Sequence, residues 1–274
     1  MSSKSSQKLT RVPVAVAGAG GRMGGRIIAL AAASTSAIPA GALEAAGHPS
    51  VGKDAGLTAG CGELGIPITF EIQKAFANAK VLIDFSAPSA TVRHSEAAAE
   101  RGLGVVIGTT GLSDADLKSL AEVARHVPLI VAPNMSLGVN LLCRIAPQIV
   151  KALGSAYDIE IIESHHNKKK DAPSGTALRL LDVILDARNA TRTDAVWGRE
   201  GRETARREGE IGVHAVRGGD IVGDHTILFA GQGERIELTH RASSRDTFAL
   251  GALRAAVFIA GKPPGQYTME DVLL

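Results

Sequence analysis

From Val12 to Pro133 the chain alternates short apolar runs with stretches of helical periodicity: Val12–Ala17 then 22–33, Val81–Phe85 then 89–101, Gly104–Ile107 then 113–126, and last Leu129–Ala132. A strand that returns through a helix pairs naturally in parallel, and a parallel sheet must be covered on both faces. The rhythm therefore predicts a doubly wound α/β layer. Gly18, Ala19, Gly20, Gly21, Arg22, Met23 and Gly24 join the first strand to a helix whose Met23, Ile27, Leu30 and Ala31 share one face. Glycine lets the backbone turn tightly and approach a ligand, while the helix start offers N–H donors to an anion. Such a turn can also serve packing alone. The run Ile38–Leu43 then ends in Glu44, an acid placed to accept hydrogen bonds from a ribose diol, which favours a dinucleotide loop.

After residue 155 the rhythm changes. Tyr157–Ile161 alternates apolar and polar residues as a half-buried strand does, one helix follows, and strand-like runs recur at about 211–217, 221–230 and 234–241. Turns fall at Gly218 and Gly219 and at Gly231–Gly233, so an antiparallel or mixed sheet is expected. A last helical pattern runs from about Asp246 to Ala260. The charged segment 186–210 reads as a mobile surface loop, with the alternative that some of its arginines reach a neighbouring subunit or a bound ligand. In the run 234–241, Ile236 and Leu238 alternate with Arg235, Glu237 and Thr239, giving one face for helix packing and one for a hydrated subunit contact.

Chemistry concentrates between Glu163 and Ala177, where His165, His166, Lys168, Lys169, Lys170 and Asp171 precede Pro173, Ser174, Gly175 and Thr176. The histidines fall at or just past a strand end. Ser174 precedes the apolar-periodic run Ala177, Leu178, Leu180, Leu181, Ile184 and Leu185, so it reads as an N-cap with free N–H groups at Gly175 and Thr176. Cations beside an anion-binding helix start suit a dicarboxylate. Taken alone, a His-His pair with a lysine run would be a solvated turn.

This string, His165 and His166, then Lys169, then Asp171 to Ala177, closely resembles the signature of the 4-hydroxy-tetrahydrodipicolinate reductase (dihydrodipicolinate reductase) family, and the likeness runs from the glycine loop to the carboxyl-terminal helix. It implies a Rossmann-like domain from residues 1–136 and 246–274, with an α+β domain from 137–245 that binds substrate and forms a homotetramer through a mixed sheet. It further implies reduction of dehydrated 4-hydroxy-tetrahydrodipicolinate to tetrahydrodipicolinate by NADH or NADPH, on the diaminopimelate route to lysine. His165 carries over as general acid and Lys169 as a second donor and carboxylate partner. His166, Ser174, Gly175 and Thr176 carry over as substrate contacts, and Asp171 is read as fixing the loop. The cofactor set is the glycine loop with Glu44, then Gly108, Thr109 and Thr110, then Ala132, Pro133, Asn134 and Met135. Two positions depart from the family pattern: Ala45 stands where an arginine often follows the acid, and Met135 where an aromatic residue is usual. Without that arginine, and with Glu44 to repel a 2′-phosphate, NADH should be used at least as well as NADPH, although Arg22 or Lys53 could substitute.

Other classes fit less well. Adjacent histidines with Glu163 lack the i, i+4 spacing of a helical zinc site, so a metal-dependent hydrolase is disfavoured and no metal is expected. A non-catalytic sensor of NAD would not need the histidine and lysine. A semialdehyde dehydrogenase needs a reactive thiol, whereas Cys61 and Cys143 read as buried or incidental. A net charge of +2 with 3% aromatic residues argues against nucleic acid. The polar tail Met1–Lys8 lacks a secretion signal's apolar core, and no apolar run could span a membrane, so a cytoplasmic location is expected.

Overall fold

The computed structural model describes residues 11–274, so the polar tail lies outside the described residues. The chain divides into two compact units: one comprises the residues up to Met135 together with Phe248–Leu274, the other Ser136–Thr247.

The first unit opens with β1 (Val12–Ala17), α1 (Arg22–Ala33) and β2 (Ala37–Leu43), followed by α2 (Ala55–Ala59), β3 (Ile68–Thr69) and α3 (Ile72–Phe76). Then come β4 (Val81–Asp84), α4 (Pro88–Ala99), β5 (Gly104–Ile107), α5 (Asp114–Val123) and β6 (Pro128–Val131). The second unit holds α6 (Leu137–Leu153), β7 (Asp158–His165), α7 (Gly175–Arg188), β8 (Ala195–Trp197), β9 (Ile211–Arg217), β10 (Gly223–Ala230) and β11 (Arg235–Ala242). Helix α8 (Asp246–Ile259) and β12 (Gly265–Tyr267) end the chain.

The first sheet has seven strands in the order β12-β6-β5-β4-β1-β2-β3, and every neighbouring pair is parallel. β4 and β5 are buried along their whole length, as strands covered on both faces must be. The direction of winding reverses between β1 and β4, which opens a crevice at the carboxyl ends of those strands. Helix starts on this sheet are fixed locally: Ser113 and Asp116 form a reciprocal capping box for α5, and Pro88 occupies the first turn of α4.

The second sheet has five strands in the order β11-β10-β7-β9-β8 and is mixed: β7 pairs in parallel with β9 and antiparallel with β10. One face packs against α6 and α7 through Val139, Leu142, Ala146, Leu180, Leu181 and Ile184 from the helices and Ile159, Ile161, Val213, Ile227 and Phe229 from the sheet. Full burial of each large aliphatic side chain contributes about 1.5–3 kcal/mol, so this layer anchors the strand that ends in His165. The opposite face carries half-exposed Ile162, Thr226, Leu228 and Thr239, with Thr226 and Thr239 hydrogen-bonded across the ladder at 3.0 Å.

Two expectations need correction. Segment 186–210 is not loop throughout: α7 runs to Arg188, Asn189 closes it in the left-handed region, and β8 pairs in parallel with β9. Arg199 and Arg206 are drawn onto Glu160 and Glu210, because a half-buried carboxylate holds nearby cations. On β11 Leu238 packs against the core, but Ile236 is 41% exposed, since it lies on the edge strand one step beyond its buried partner Phe229. Cys143 is buried, whereas Cys61 is exposed in the loop after α2, its Sγ 3.6 Å from Gly56 O.

Candidate active site

Along β7 the side chains alternate, so Ile159, Ile161, Glu163 and His165 all point to the helix-covered face. The first two are apolar and enter the core; the last two are polar and lie beyond it, at the carboxyl end of the strand. Glu163 is fully buried and His165 is 9% exposed. The His165 Nδ1 lies 2.6 Å from Glu163 Oε2. Arg217, paired in register with His165 from β9, donates to both Glu163 oxygens at 2.8 Å, and the backbone N–H of Ser174 donates to Oε1 at 2.9 Å. Burial pushes the Glu163 carboxyl up, but the hydrogen bonds from Arg217, His165 and Ser174 outweigh it and hold the group below the usual carboxylate value.

His225 faces Glu163 from β10, with its ring edge-on to that of His165 at a centroid distance of 5.2 Å. Its Nε2 lies 3.1 Å from Ser174 Oγ. Burial above all, then the nearby His165, pushes the His225 imidazole down to about 4. Ser174 is the N-cap of α7, as the sequence indicates: its hydroxyl accepts from Ala177 N at 3.2 Å. Gly175 is exposed, and a Cβ there would meet no atom within 4 Å, so the first turn stays open to a ligand. Thr176 beside it is half-buried.

The segment between β7 and α7 is tied down at the backbone. An arch of residues 218–222 connects β9 to β10 across the end of β7, and it bonds to the histidine segment three times: Gly218 N to His165 O, His166 N to Ile221 O and Asn167 N to Gly219 O. Lys169 N then donates to His166 O, and Lys169 Nζ lies 2.9 Å from Asp171 Oδ2, while the Asp171 carbonyl accepts from Arg217. The structure thus brings His165, Lys169, Ser174, Gly175 and Thr176 into one end of the unit, with His166 half-exposed at the same strand end.

Sequence reasoning missed Arg217 and His225, and it considered Glu163 only as a metal ligand. A signal for Glu163 existed: an acid two residues before a histidine on a strand shares its face. Among the described residues no group of three or more His, Cys, Asp or Glu is placed to hold a metal.

In the first unit the residues read as a cofactor set follow the carboxyl ends of β1 and β2 on one side of β4 and of β5 and β6 on the other. Gly18 has φ +79°, and a Cβ on Gly24 would collide with the Gly18 carbonyl, so both positions require glycine for α1 to seat on β1. Gly21 caps α1 without a side-chain hydrogen bond, and no acidic residue lies in the first turn around Arg22 and Met23. That leaves a helix start whose donors and dipole fit a pyrophosphate. Glu44, just past β2, accepts from Gly20 N at 2.9 Å and Ala45 N at 2.8 Å, and the His48 ring lies over Gly20 beside it. Ala19 is buried and its N–H goes to Leu43 O. Gly108 packs under the Phe85 ring where any Cβ would clash. Thr109 is buried, Thr110 exposed, Ala132 buried, Pro133 exposed and Asn134 half-buried. Met135 is 1% exposed, its carbonyl packed against Gly251 of α8.

Behind the 108–110 loop lies a second buried pair absent from the sequence reading. His94 Nδ1 is 2.8 Å from Asp84 Oδ2, and Asp84 Oδ1 takes hydrogen bonds from Ser86 N, Ser86 Oγ and Thr109 Oγ1. Burial works to raise the Asp84 pKa, but His94 and Ser86 outweigh it and hold it below the usual value.

Comparison with known proteins matches both halves to one enzyme family. The family descriptions "Dihydrodipicolinate reductase, N-terminus" and "Dihydrodipicolinate reductase, C-terminus" match residues 12–135 and 138–273. A 4-hydroxy-tetrahydrodipicolinate reductase of Anaeromyxobacter dehalogenans is 48% identical over 95% of this chain and 97% of its own. That of Geotalea daltonii is 48% identical over 96% and 98%. The dipicolinate-bound dihydrodipicolinate reductase of a Paenisporosarcina species, at 23% identity, shares the fold with a TM-score of 0.73 over 96% of this chain and 100% of its own. With both family descriptions matched in order along nearly the whole chain, and relatives near half identity end to end, this chain belongs to the dihydrodipicolinate reductase family.

Proposed function

We propose that the chain reduces the dehydrated form of 4-hydroxy-tetrahydrodipicolinate to tetrahydrodipicolinate, a step of the diaminopimelate route to lysine. The observation that carries the reading is His165 at the end of β7, one ring nitrogen bonded to Glu163, beside Lys169 and the open first turn of α7. A bound NADH or NADPH would supply the hydride that adds to ring carbon C4. The glycine loop 18–24 and Glu44 would hold its adenosine half, and residues 108–110 and 132–135 its nicotinamide half.

The second unit binds and protonates. Lys169, His166 and the N–H groups of Gly175 and Thr176 hold the two carboxylates, with Ser174 fixing the helix start. Lys169 is poised by Asp171, an exposed anion that a substrate carboxylate would replace. His165 donates the proton that quenches the charge created by hydride addition, a role suited to an imidazole at neutral pH. Glu44 with Ala45 beside it favours a free ribose diol, so NADH serves at least as well as NADPH. Among the described residues no helix is long and apolar enough to cross a membrane, and a cytoplasmic enzyme fits this pathway. The uncovered face of the second sheet, with Ile162, Thr226, Leu228 and Thr239, is the surface on which a homotetramer would form; light scattering that returns a monomer mass at micromolar concentration would refute that assembly.

The direct test is oxidation of NADH on freshly prepared 4-hydroxy-tetrahydrodipicolinate. Turnover that depends on this substrate is expected; its absence with both cofactors would sink the proposal. Lys169→Ala should slow turnover and raise the inhibition constant of pyridine-2,6-dicarboxylate, and an unchanged constant would contradict the carboxylate role.

A further inference from the structure

A general acid of the imidazole type has two nitrogens, and only one can deliver the proton. We infer that Glu163, clamped by Arg217, is the positioning residue for His165: it fixes the Nδ1–H tautomer and makes Nε2 the nitrogen that transfers the proton. The inference rests on the reading of His165 as proton donor.

Each oxygen of Glu163 already meets two donors. Oε2 faces His165 Nδ1 at 2.6 Å and Arg217 Nη1 at 2.8 Å, while Oε1 faces Ser174 N at 2.9 Å and Arg217 Nη2 at 2.8 Å. A proton on this carboxyl would have to displace one of them. An ionised carboxylate only accepts, so Nδ1 must carry a hydrogen in both charge states of the ring. The proton that comes and goes is then the one on Nε2. Gly223 keeps that side clear, for a Cβ there would come within 3.1 Å of Nε2.

The charged and titratable groups around the ring act in the same sense. Glu163 lies on β7 itself, Arg217 at the end of β9, His225 on β10, and Lys169 and Asp171 in the loop before α7. Arg217 balances Glu163 before the ring gains its proton. His225, held down by burial, is neutral at working pH and adds no second cation beside His165. In the transfer step the Nε2–H bond breaks, the proton goes to the reduced substrate ring, and the electron pair stays on Nε2. The Nδ1–H bond to Glu163 persists throughout. The carboxylate of a serine-protease triad orients its histidine on the same principle.

Glu163→Gln tests this, because an amide can donate as well as accept and so admits the wrong tautomer. The expected result is a fall in kcat of at least about 100-fold with the NADH dissociation constant unchanged, and a basic limb of the kcat profile moved to lower pH. Glu163→Asp should recover part of the rate. Combined with His165→Gln, the Glu163→Gln change should cost nothing further, since both act through one ring. Near-native kcat with a native pH profile, or losses that multiply in the double variant, would overturn the inference. His165→Gln measured alongside separates the two levels: near-native turnover there defeats the proton-donor reading itself. Nitrogen-15 NMR of the unmodified protein needs no variant to fold. At a pH where the ring is uncharged, its single hydrogen is expected on Nδ1, and finding it on Nε2 instead would end the idea.

Discussion

Among the described residues, two buried imidazole–carboxylate pairs stand at strand ends, and they differ in what surrounds them. In the pair of His94 and Asp84, the other donors on the carboxylate are hydroxyls and a backbone N–H, from Ser86, Thr91 and Thr109. In the pair of His165 and Glu163, the carboxylate meets a guanidinium and a helix N-terminus. The first arrangement ties neighbouring loops to the end of β4. The second orients a ring and leaves one of its nitrogens for chemistry. On the reading proposed above, the same two functional groups make a brace in one unit and a proton donor in the other, according to their partners.

The sharpest way to break this contrast is His165→Gln, which should lower kcat about 10²–10⁴-fold while NADH binding survives. His94→Gln is its counterpart. If that variant loses chemistry rather than cofactor affinity, the two pairs are not different in kind.

Asp84→Asn comes next. Removing the charge from a buried pair costs about 3–5 kcal/mol, so Tm should fall, and the KM for NADH should rise more than kcat drops. Because the folded pKa of Asp84 is depressed, its contribution to stability is present above the unfolded value of 3.8 and is lost as pH falls through the folded one. The variant should accordingly show a flatter stability profile in acid; an unaltered profile would mean the pair is no brace.

His225 gives a third effect in the second unit. A histidine held near 4 against an ordinary 6.5 stays neutral when folded but takes a proton when unfolded. Its stabilising contribution is whole above about pH 6.5 and declines as pH falls towards 4, by up to about 3 kcal/mol. Urea midpoints at pH 7 and pH 5 should differ less in His225→Asn than in the native chain, and equal differences would refute the burial argument.

The smallest effect concerns the cofactor loop. Ala45→Arg should shift kcat/KM toward NADPH by about 1 kcal/mol, the scale of an exposed cation–phosphate contact. A native chain that strongly prefers NADPH would overturn the argument from Glu44.

How far the sequence anticipates all this depends on whether the signal is local. The strands β1, β4 and β5 are legible because burial on both faces makes them continuous apolar runs, and α7 because Ser174 caps an apolar period. Strand β8 is three residues long, too short for any period, and exists through its pairing with β9. The chemistry divides the same way. His165 and Lys169 share one segment, whereas Arg217 and His225 reach the site through β-sheet register, which no spacing along the chain encodes. The ion pairs of 186–210 were hidden likewise, since Arg199 and Arg206 meet Glu160 across about forty residues of chain.

The arch 218–222 has a bearing on how such an enzyme can change. β9 and β10 run in opposite directions with β7 between them, so this short connection must step over the strand end that carries His165. Its length acts as a gauge, setting how far apart Arg217 and His225 stand on either side of the histidine. Adding or deleting one residue there would respace both flanks at once while leaving the five-stranded ladder and its helix-covered core in place. A lineage could thus try new substrate shapes by altering the span of one loop, with the dinucleotide half of the molecule untouched.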